Sequence, residues 1–365
     1  MVSVSLRCCG VFYLRMRIGV TNLFKGSAFG SALPQVALYL ATALSSAGHK
    51  VSFIIPSESD EWFVDCASCN TEAIPIIKLV EGVSLEIFDL VVEVVWFLPA
   101  ALRPQIAKKV VMFYHYAPVF YDIESSTYPL ATQVRDFTGI FGLWTWGHFK
   151  ATDYAYLEFM SRRPVFKCPF FWNPMLLDSY IAETELPPIE SIYCSGSKKQ
   201  VVICESNQTN TSNCTLPLVI LSELYKADNT IKWSVLNSEE LSKREFFMSN
   251  VVKNLHIANS VDISGGTDRF NGNFLKRVRL PDLRREPNYI ISHQRFRPIK
   301  YMLLDALYLG IPLVHNCELL ASFGKYYELN RIGQAVSAFH SLPDVTSSLS
   351  AAASSIVERF GPAVG

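Results

Sequence analysis

The chain lacks a charge surplus of either sign: 33 Lys and Arg stand against 33 Asp and Glu. Proteins that live on nucleic acid neutralise phosphates with a basic excess, so this balance argues against that class while leaving room for a local anion site. A long apolar run is also missing. The longest, Phe88 to Leu102, is broken by Glu93 and Pro99 and falls short of the ~20 residues a membrane helix needs. The nine cysteines form no framework of pairs, which argues against a disulfide scaffold and for free thiols in a reducing compartment. Cys66 and Cys69 have CxxC spacing, but no second pair or His pair accompanies them, so neither zinc nor redox chemistry is expected there. Residues 1–15 contain neither an apolar segment nor a small-residue cleavage site and read as a flexible extension, with Met16 an alternative start. The expected location is cytoplasmic, and the sequons at Asn207, Asn210 and Asn213 are then only a polar loop.

What is present suits a large α/β core. Half of the 365 residues are hydrophobic and 13% are aromatic, enough for two domains of roughly 150–200 residues each. Arg17 to Asn22 is a short apolar strand. A small-residue loop and a helical stretch from Pro34 to Ala47 follow, with Gly48 as the stop and Val51 to Pro56 as the next strand. That is a βαβ unit of a parallel sheet. Phe88 to Phe97 and Val110 to Tyr114 are near-continuous apolar runs, as expected for strands covered on both faces. Residues 16–174 read as a first Rossmann-like domain and 175–199, rich in Pro, Glu and Ser, as a linker. Residues 200–340 read as a second such domain, and 341–365 as a helix that packs back on the first.

Several segments carry chemistry. Ile291 to Asn316 reads as strand, polar loop, helix from Ile299 to Leu309, Gly310 stop and strand. A helix start at the carboxyl edge of a sheet offers backbone N–H groups to a phosphate, and Arg295, Arg297 and Lys300 add cationic donors there. Asp305, further along the helix, is placed to accept hydrogen bonds from sugar hydroxyls. Gly26 and Gly30 let backbone approach a ligand closely. Their loop has neither the third glycine of a dinucleotide fingerprint nor the Gly-Lys-Ser/Thr of a P-loop. His115 follows a strand at the edge where site residues collect, and Tyr116, Tyr121, Asp122 and Glu124 follow it on what would be the acceptor side. Glu93 interrupts an apolar strand, costly unless it is paired or beside an open cleft, and is a secondary candidate for a base. The run Lys276, Arg277, Arg279, Arg284 and Arg285 reads as a solvated face. Trp144, Trp146, Phe170, Phe171 and Trp172 read as core, with one or two of them free to stack on a sugar ring.

Asp305-Ala306, Gly310 and Pro312 resemble the nucleotide-binding signature of GT-B glycosyltransferases, and Ser292-His293-Gln294 with Pro312 to Asn316 resembles more closely the DUF2827 family of bacteria and viruses. The resemblance runs from Arg17 nearly to the C-terminus. It implies a GT-B fold, two Rossmann-like doubly wound domains facing a cleft, and transfer of a sugar from a UDP- or GDP-linked donor to a hydroxyl of a glycan-type acceptor. No metal or other cofactor would be required. It places Glu205, Asn207, His293, Gln294, Arg295, Lys300 and Asp305 at the nucleotide sugar, with Gly26 and Gly30 bordering its phosphates or the acceptor, and His115 at the sugar or acceptor. One position departs: many retaining members carry two acidic residues with seven between them, and Arg297 stands where the first belongs. That departure keeps two alternatives open, a non-catalytic nucleotide-sugar-binding protein and a sugar-nucleotide epimerase of the same fold.

Overall fold

The computed structural model describes residues 15–24, 27–29, 32–60, 62–63, 74–80, 87–127, 136–149, 151–193, 199–207, 209, 211–261, 273–296, 298–342 and 347–360. The first lobe runs β1 (Arg17–Thr21), α1 (Ala32–Ser46), β2 (Lys50–Pro56), β3 (Ile76–Leu79), β4 (Leu90–Glu93), α2 (Arg103–Ile106), β5 (Val110–Tyr114), α3 (Pro118–Thr127), β6 (Gly142–Trp146), α4 (Ala151–Ser161) and β7 (Val165–Cys168). Its strands form one sheet in the order β3-β2-β1-β4-β5-β6-β7, every pair parallel. The apolar runs β4 and β5 sit mid-sheet, buried along their whole length, because helices cover both faces of a parallel sheet.

The stretch read as a linker is not extended. It holds α5 (Met175–Thr184) and α6 (Ile189–Ile192), and α5 buries Leu176, Leu177 and Tyr180 against the core. The second lobe continues with β8 (Gln200–Ile203), α7 (Thr215–Ala227), β9 (Lys232–Val235), α8 (Glu239–Ser242), α9 (Glu245–Asn250), β10 (Asn288–Ser292), α10 (Tyr301–Tyr308), β11 (Leu313–His315), β12 (Lys325–Tyr326), α11 (Ile332–His340) and α12 (Ser347–Phe360). Its sheet, β12-β11-β10-β8-β9, is likewise all parallel. Between α9 and β10, Val252–Asn254 and Ala258–Ser260 form 3-10 turns.

Strand order reverses direction between β1 and β4 in the first sheet and between β8 and β10 in the second. Such switch points open a crevice at the carboxyl ends of the strands. Gly310 ends α10 with φ 69°, a left-handed turn that glycine adopts without a Cβ clash. Ile311 N–H reaches Ala306 O and Gly310 N–H reaches Leu307 O, the paired bonds of a Schellman cap. The tight stop returns the chain directly into β11. The lobes share one apolar core, in which Leu38 and Tyr39 of α1 join Tyr301, Leu303 and Leu304 of α10. At the junction Trp172 N–H donates to Phe360 O at 3.1 Å, tying α12 back to the end of the first lobe.

Candidate functional site

Between the lobes lies a cavity of about 360 Å³, within the size range of small-molecule sites. The first lobe lines it with the start of α1, with the turn from β5 into α3, and with Trp146 and Phe170. The second lobe contributes Ser206, Thr209 and Thr211 after β8, Asn237 after β9, Arg277, Phe296, and the entry to α10 at Ile299, Lys300 and Tyr301. The carboxyl edges of both sheets therefore face the same space, as the strand orders require.

Glu205 organises the second wall. Its carboxylate is fully buried and accepts from Ser292 Oγ at 2.7 Å, His293 N at 3.1 Å, Ser212 Oγ at 2.6 Å and Lys300 Nζ at 2.8 Å. Glu205 and Lys300, both expected at the ligand, thus neutralise each other in a buried ion pair that joins the two sides of the switch point. Lys300 also reaches the cavity wall, but its charge is already matched. Asn207, at φ 55°, is likewise committed to its own loop: its amide donates to Leu236 O at 3.0 Å and its oxygen accepts from Cys214 N at 2.8 Å.

Other expected ligands lie behind the cavity wall or away from it. His293 is 3% exposed. Its Nδ1 bonds Tyr327 Oη at 2.9 Å, and burial pulls its pKa down to about 4, leaving a neutral ring. Gln294 exchanges backbone and side-chain hydrogen bonds with Asn316. Arg295 is exposed and does not line the cavity; its backbone N–H donates to Thr211 O. Asp305 does not line it either. Its carboxylate accepts from Trp172 Nε1 at 2.7 Å, and burial raises its pKa to about 7. Gly26, Gly30 and Arg297 lie outside the described residues.

Glu93 is corrected. It is fully buried and forked onto Arg103, Oε1 to Nε at 2.9 Å and Oε2 to Nη2 at 3.0 Å. Arg103 spends its remaining donors on Asp136 O and Thr138 O. Burial raises the pKa of Glu93 and the Arg103 guanidinium opposes that shift, but the pair holds the loops behind β4 and offers no base to the cleft.

His115 does reach the cavity, together with Tyr116, Tyr121 and Glu124, whereas Asp122 accepts from Tyr156 Oη. Of the aromatic cluster, Trp146 and Phe170 line the space, and Trp172 is 1% exposed in the core. Arg277 is the residue that composition hid. Val235 bridges Phe274, Val235 N–H donates to Asn273 O and Ser238 N–H donates to Leu275 O. This short pairing runs residues 273–275 along the outer edge of β9 and delivers Arg277 to the cleft. There it is exposed and makes no ion pair or hydrogen bond among the described residues. Its neighbours in sequence behave as a surface does: Arg279 pairs with Asp282 at 3.0 Å and Arg285 lies 3.8 Å from the same carboxylate. Among the described residues no cluster of His, Cys, Asp and Glu could hold a metal ion, and no helix is long and apolar enough to cross a membrane.

No curated protein matches the sequence. Among solved structures, an α-glucosyltransferase in complex with UDP and a 13-mer DNA containing an HMU base is similar over 95% of this chain and 96% of its own, with 10% identity and a TM-score of 0.57. The pneumococcal O-GlcNAc transferase GtfA, in complex with UDP and GlcNAc, is similar over 95% and 96%, with 8% identity and a TM-score of 0.51. S. aureus TarM is matched by 74% of this chain over 52% of its own, at 12% identity and a TM-score of 0.44, so the chain spans about half of TarM's length. At such identities the likeness is one of fold, and that fold is GT-B, two Rossmann-like domains across a cleft. The family described as "Protein of unknown function (DUF2827)" matches residues 18–359, and the chain belongs to that family.

Proposed function

We propose that the protein transfers a glycosyl group from a UDP- or GDP-linked sugar to a hydroxyl of a glycan-type acceptor, with residues 200–340 holding the donor and residues 16–174 the acceptor. The observation that carries this reading is a guanidinium, Arg277, without an ion pair or hydrogen bond among the described residues, in a cleft where the carboxyl edges of two parallel sheets meet. A diphosphate answers that charge, and Arg forks onto phosphate oxygens with charge-assisted bonds. Ser206, Thr209, Thr211 and Asn237 on the same wall supply neutral donors and acceptors for the rest of the nucleotide sugar. In transfer, the bond from the anomeric carbon to the diphosphate oxygen breaks and a bond to the acceptor oxygen forms. Arg277 stabilises the negative charge that grows on the leaving group, where a fixed cation contributes most. The proton of the acceptor hydroxyl passes to His115 or Glu124, two titratable side chains on the opposite wall. No metal is required by this scheme. The equal counts of acidic and basic residues favour a glycan over nucleic acid as acceptor. That structures of the same fold are described in complex with UDP supports a uridine donor.

Arg297, standing where the transferase signature is acidic, favours a second reading, a protein that binds nucleotide sugars without turning them over. One experiment addresses both. UDP- and GDP-sugars are titrated while thermal unfolding and free nucleotide are followed. A rise in Tm whose ligand dependence gives an affinity weakened about 10–100-fold by Arg277→Ala, as expected for a lost charged hydrogen-bond pair, together with nucleotide release, supports transfer. Binding without release supports the second reading, and isomerised sugar without release an epimerase. No shift with any nucleotide overturns all three.

A further inference from the structure

The amino edge of the first sheet, the end away from the cleft, exposes apolar rings. Strands β5, β6 and β7 are parallel and therefore all begin at this edge. Phe141, the residue before β6, is 45% exposed and stacks on Phe166 of β7, 43% exposed, with planes 5° apart. Helix α4 returns the chain to the same edge to reach β7, and its last turn exposes Phe159 at 63% and Met160 at 48%. Large apolar side chains gathered on one surface mark a place where something docks.

Cations accompany these rings. Lys109 Nζ lies 4.5 Å from the Phe141 centroid, the Arg162 guanidinium lies 4.4 Å from that of Phe159, and Arg163 follows directly. None of the three makes an ion pair among the described residues. Two of the acids at this end are engaged: Asp89 holds Lys108 at 2.7 Å, and Asp136 accepts from Thr138 N–H at 2.8 Å. Glu158 stands one turn before Arg162. In a chain without net charge, Lys109, Arg162 and Arg163 make a local basic site beside the rings.

A second copy of the chain could occupy this edge by adding a strand to β7, which is the last strand of its sheet. Strand β7 is guarded against that. It is four residues long, carries Lys167 and is bounded by Pro164 and Pro169, features that keep edge strands from pairing with another chain. A membrane needs no partner strand. Phe rings enter the headgroup region while Lys and Arg, their stems alongside, keep their charges at lipid phosphates, and anionic lipid complements the cations. We infer that this edge docks the protein on a membrane surface carrying anionic lipid. Phe141, Phe159 and Phe166 enter the interface, and Lys109, Arg162 and Arg163 lie at the headgroups. The cleft, at the opposite ends of the same strands, then faces away from the bilayer. The inference does not depend on the transferase reading.

Co-sedimentation of the full-length protein with vesicles tests it. We expect binding to phosphatidylcholine vesicles that contain phosphatidylglycerol, weakened by added salt, and little binding to phosphatidylcholine alone. Each cation at an anionic surface strengthens binding about 5-fold, so Lys109→Glu combined with Arg163→Glu should weaken it about 25-fold or more. Phe159→Ser, at an exposed position, should weaken it about 3–10-fold and leave Tm unchanged. Absent binding, equal binding to neutral vesicles, or binding indifferent to these substitutions overturns the inference. So does a dimer in light scattering that Phe159→Ser dissolves, since the edge would then be an interface between copies of this chain.

Discussion

Glu93 and Glu205 are buried carboxylates at equivalent places, each at the carboxyl end of a strand beside its sheet's switch point. Each is matched by a cation, Arg103 ten positions on in one case and Lys300 ninety-five positions on in the other. Removing one member of such a pair strands the other charge in the interior, which costs roughly 3–5 kcal/mol, while removing both is far milder. Lys300→Met should therefore lower the free energy of urea unfolding by about that amount, and Glu205→Gln combined with Lys300→Met should restore most of it. If Lys300→Met unfolds like the wild type and loses nucleotide binding instead, Lys300 is a ligand cation and the pairing is incidental. The same contrast explains what the sequence reveals at this scale. His115, Tyr116, Tyr121 and Glu124 were legible because they directly follow an unmistakable apolar strand. The commitment of Glu205 to Lys300 was not, since a polar residue looks equally available whether or not a distant partner claims it. Arg277 was hidden in a basic run, and only the backbone bridge from Phe274 to Val235 separates it from the surface arginines beside it.

Elements were legible where burial is two-sided. The expected strand Val110 to Tyr114 coincides with β5, and those expected at Arg17 to Asn22 and Val51 to Pro56 lie within a residue of β1 and β2. The edge strands β3 and β12 are short and half-buried, so they carry too little apolar signal to stand out. In α5 the apolar residues Leu176, Leu177 and Tyr180 have helical spacing, but the composition of the surrounding stretch masked it. Helix α10 was recognised from Gly310 and its apolar face, yet the direction of Asp305 was not, because Trp172 reaches it from a segment before the linker. The burial of Asp305 makes α10 sensitive to pH. The Asp305 pKa is raised from 3.8 to about 7 by burial, so between these values the native state holds a proton that the unfolded chain has released. Stability from this group is greatest at low pH and falls as pH rises through about 7. His148, His293 and His315, each pulled down to about 4 by burial, act oppositely and are lost as pH falls. The difference between wild type and Asp305→Asn isolates the carboxylate. Chemical denaturation should show the variant gaining relative stability between pH 5 and 8, and a pH-independent difference would mean that Asp305 stays ionised throughout.

At the scale of the whole molecule the described residues of the two lobes meet in the shared core behind the cleft, where α12 is tied back at Trp172, and in an aromatic contact at its rim. Phe120 of α3 stacks on Phe296 with centroids 3.9 Å apart and planes 14° from parallel. Phe296 is 56% exposed and sits at φ 57°, a backbone setting that costs a non-glycine residue of order 1–3 kcal/mol and persists where something else is gained. The rear contact is a large core that a hinge would leave intact, whereas the rim contact is one pair worth ~0.5–1.5 kcal/mol. Phe120 and Phe296 are thus placed as a weak clasp that biases the cleft towards closure without fixing it, the kind of balance lobe closure around substrates requires. Phe120→Ala should shift the lobes towards an open state, seen as a larger radius of gyration in small-angle scattering. Affinity for UDP, which in the proposed scheme the second lobe holds through Arg277, should be unchanged. A nucleotide sugar that must touch both walls should bind about 2–10-fold more weakly, the ratio that the energy of the stack implies. Equal weakening of UDP and nucleotide sugar would mean that the rim pair supports the donor wall itself, and unchanged scattering would mean that the core alone sets the angle between the lobes.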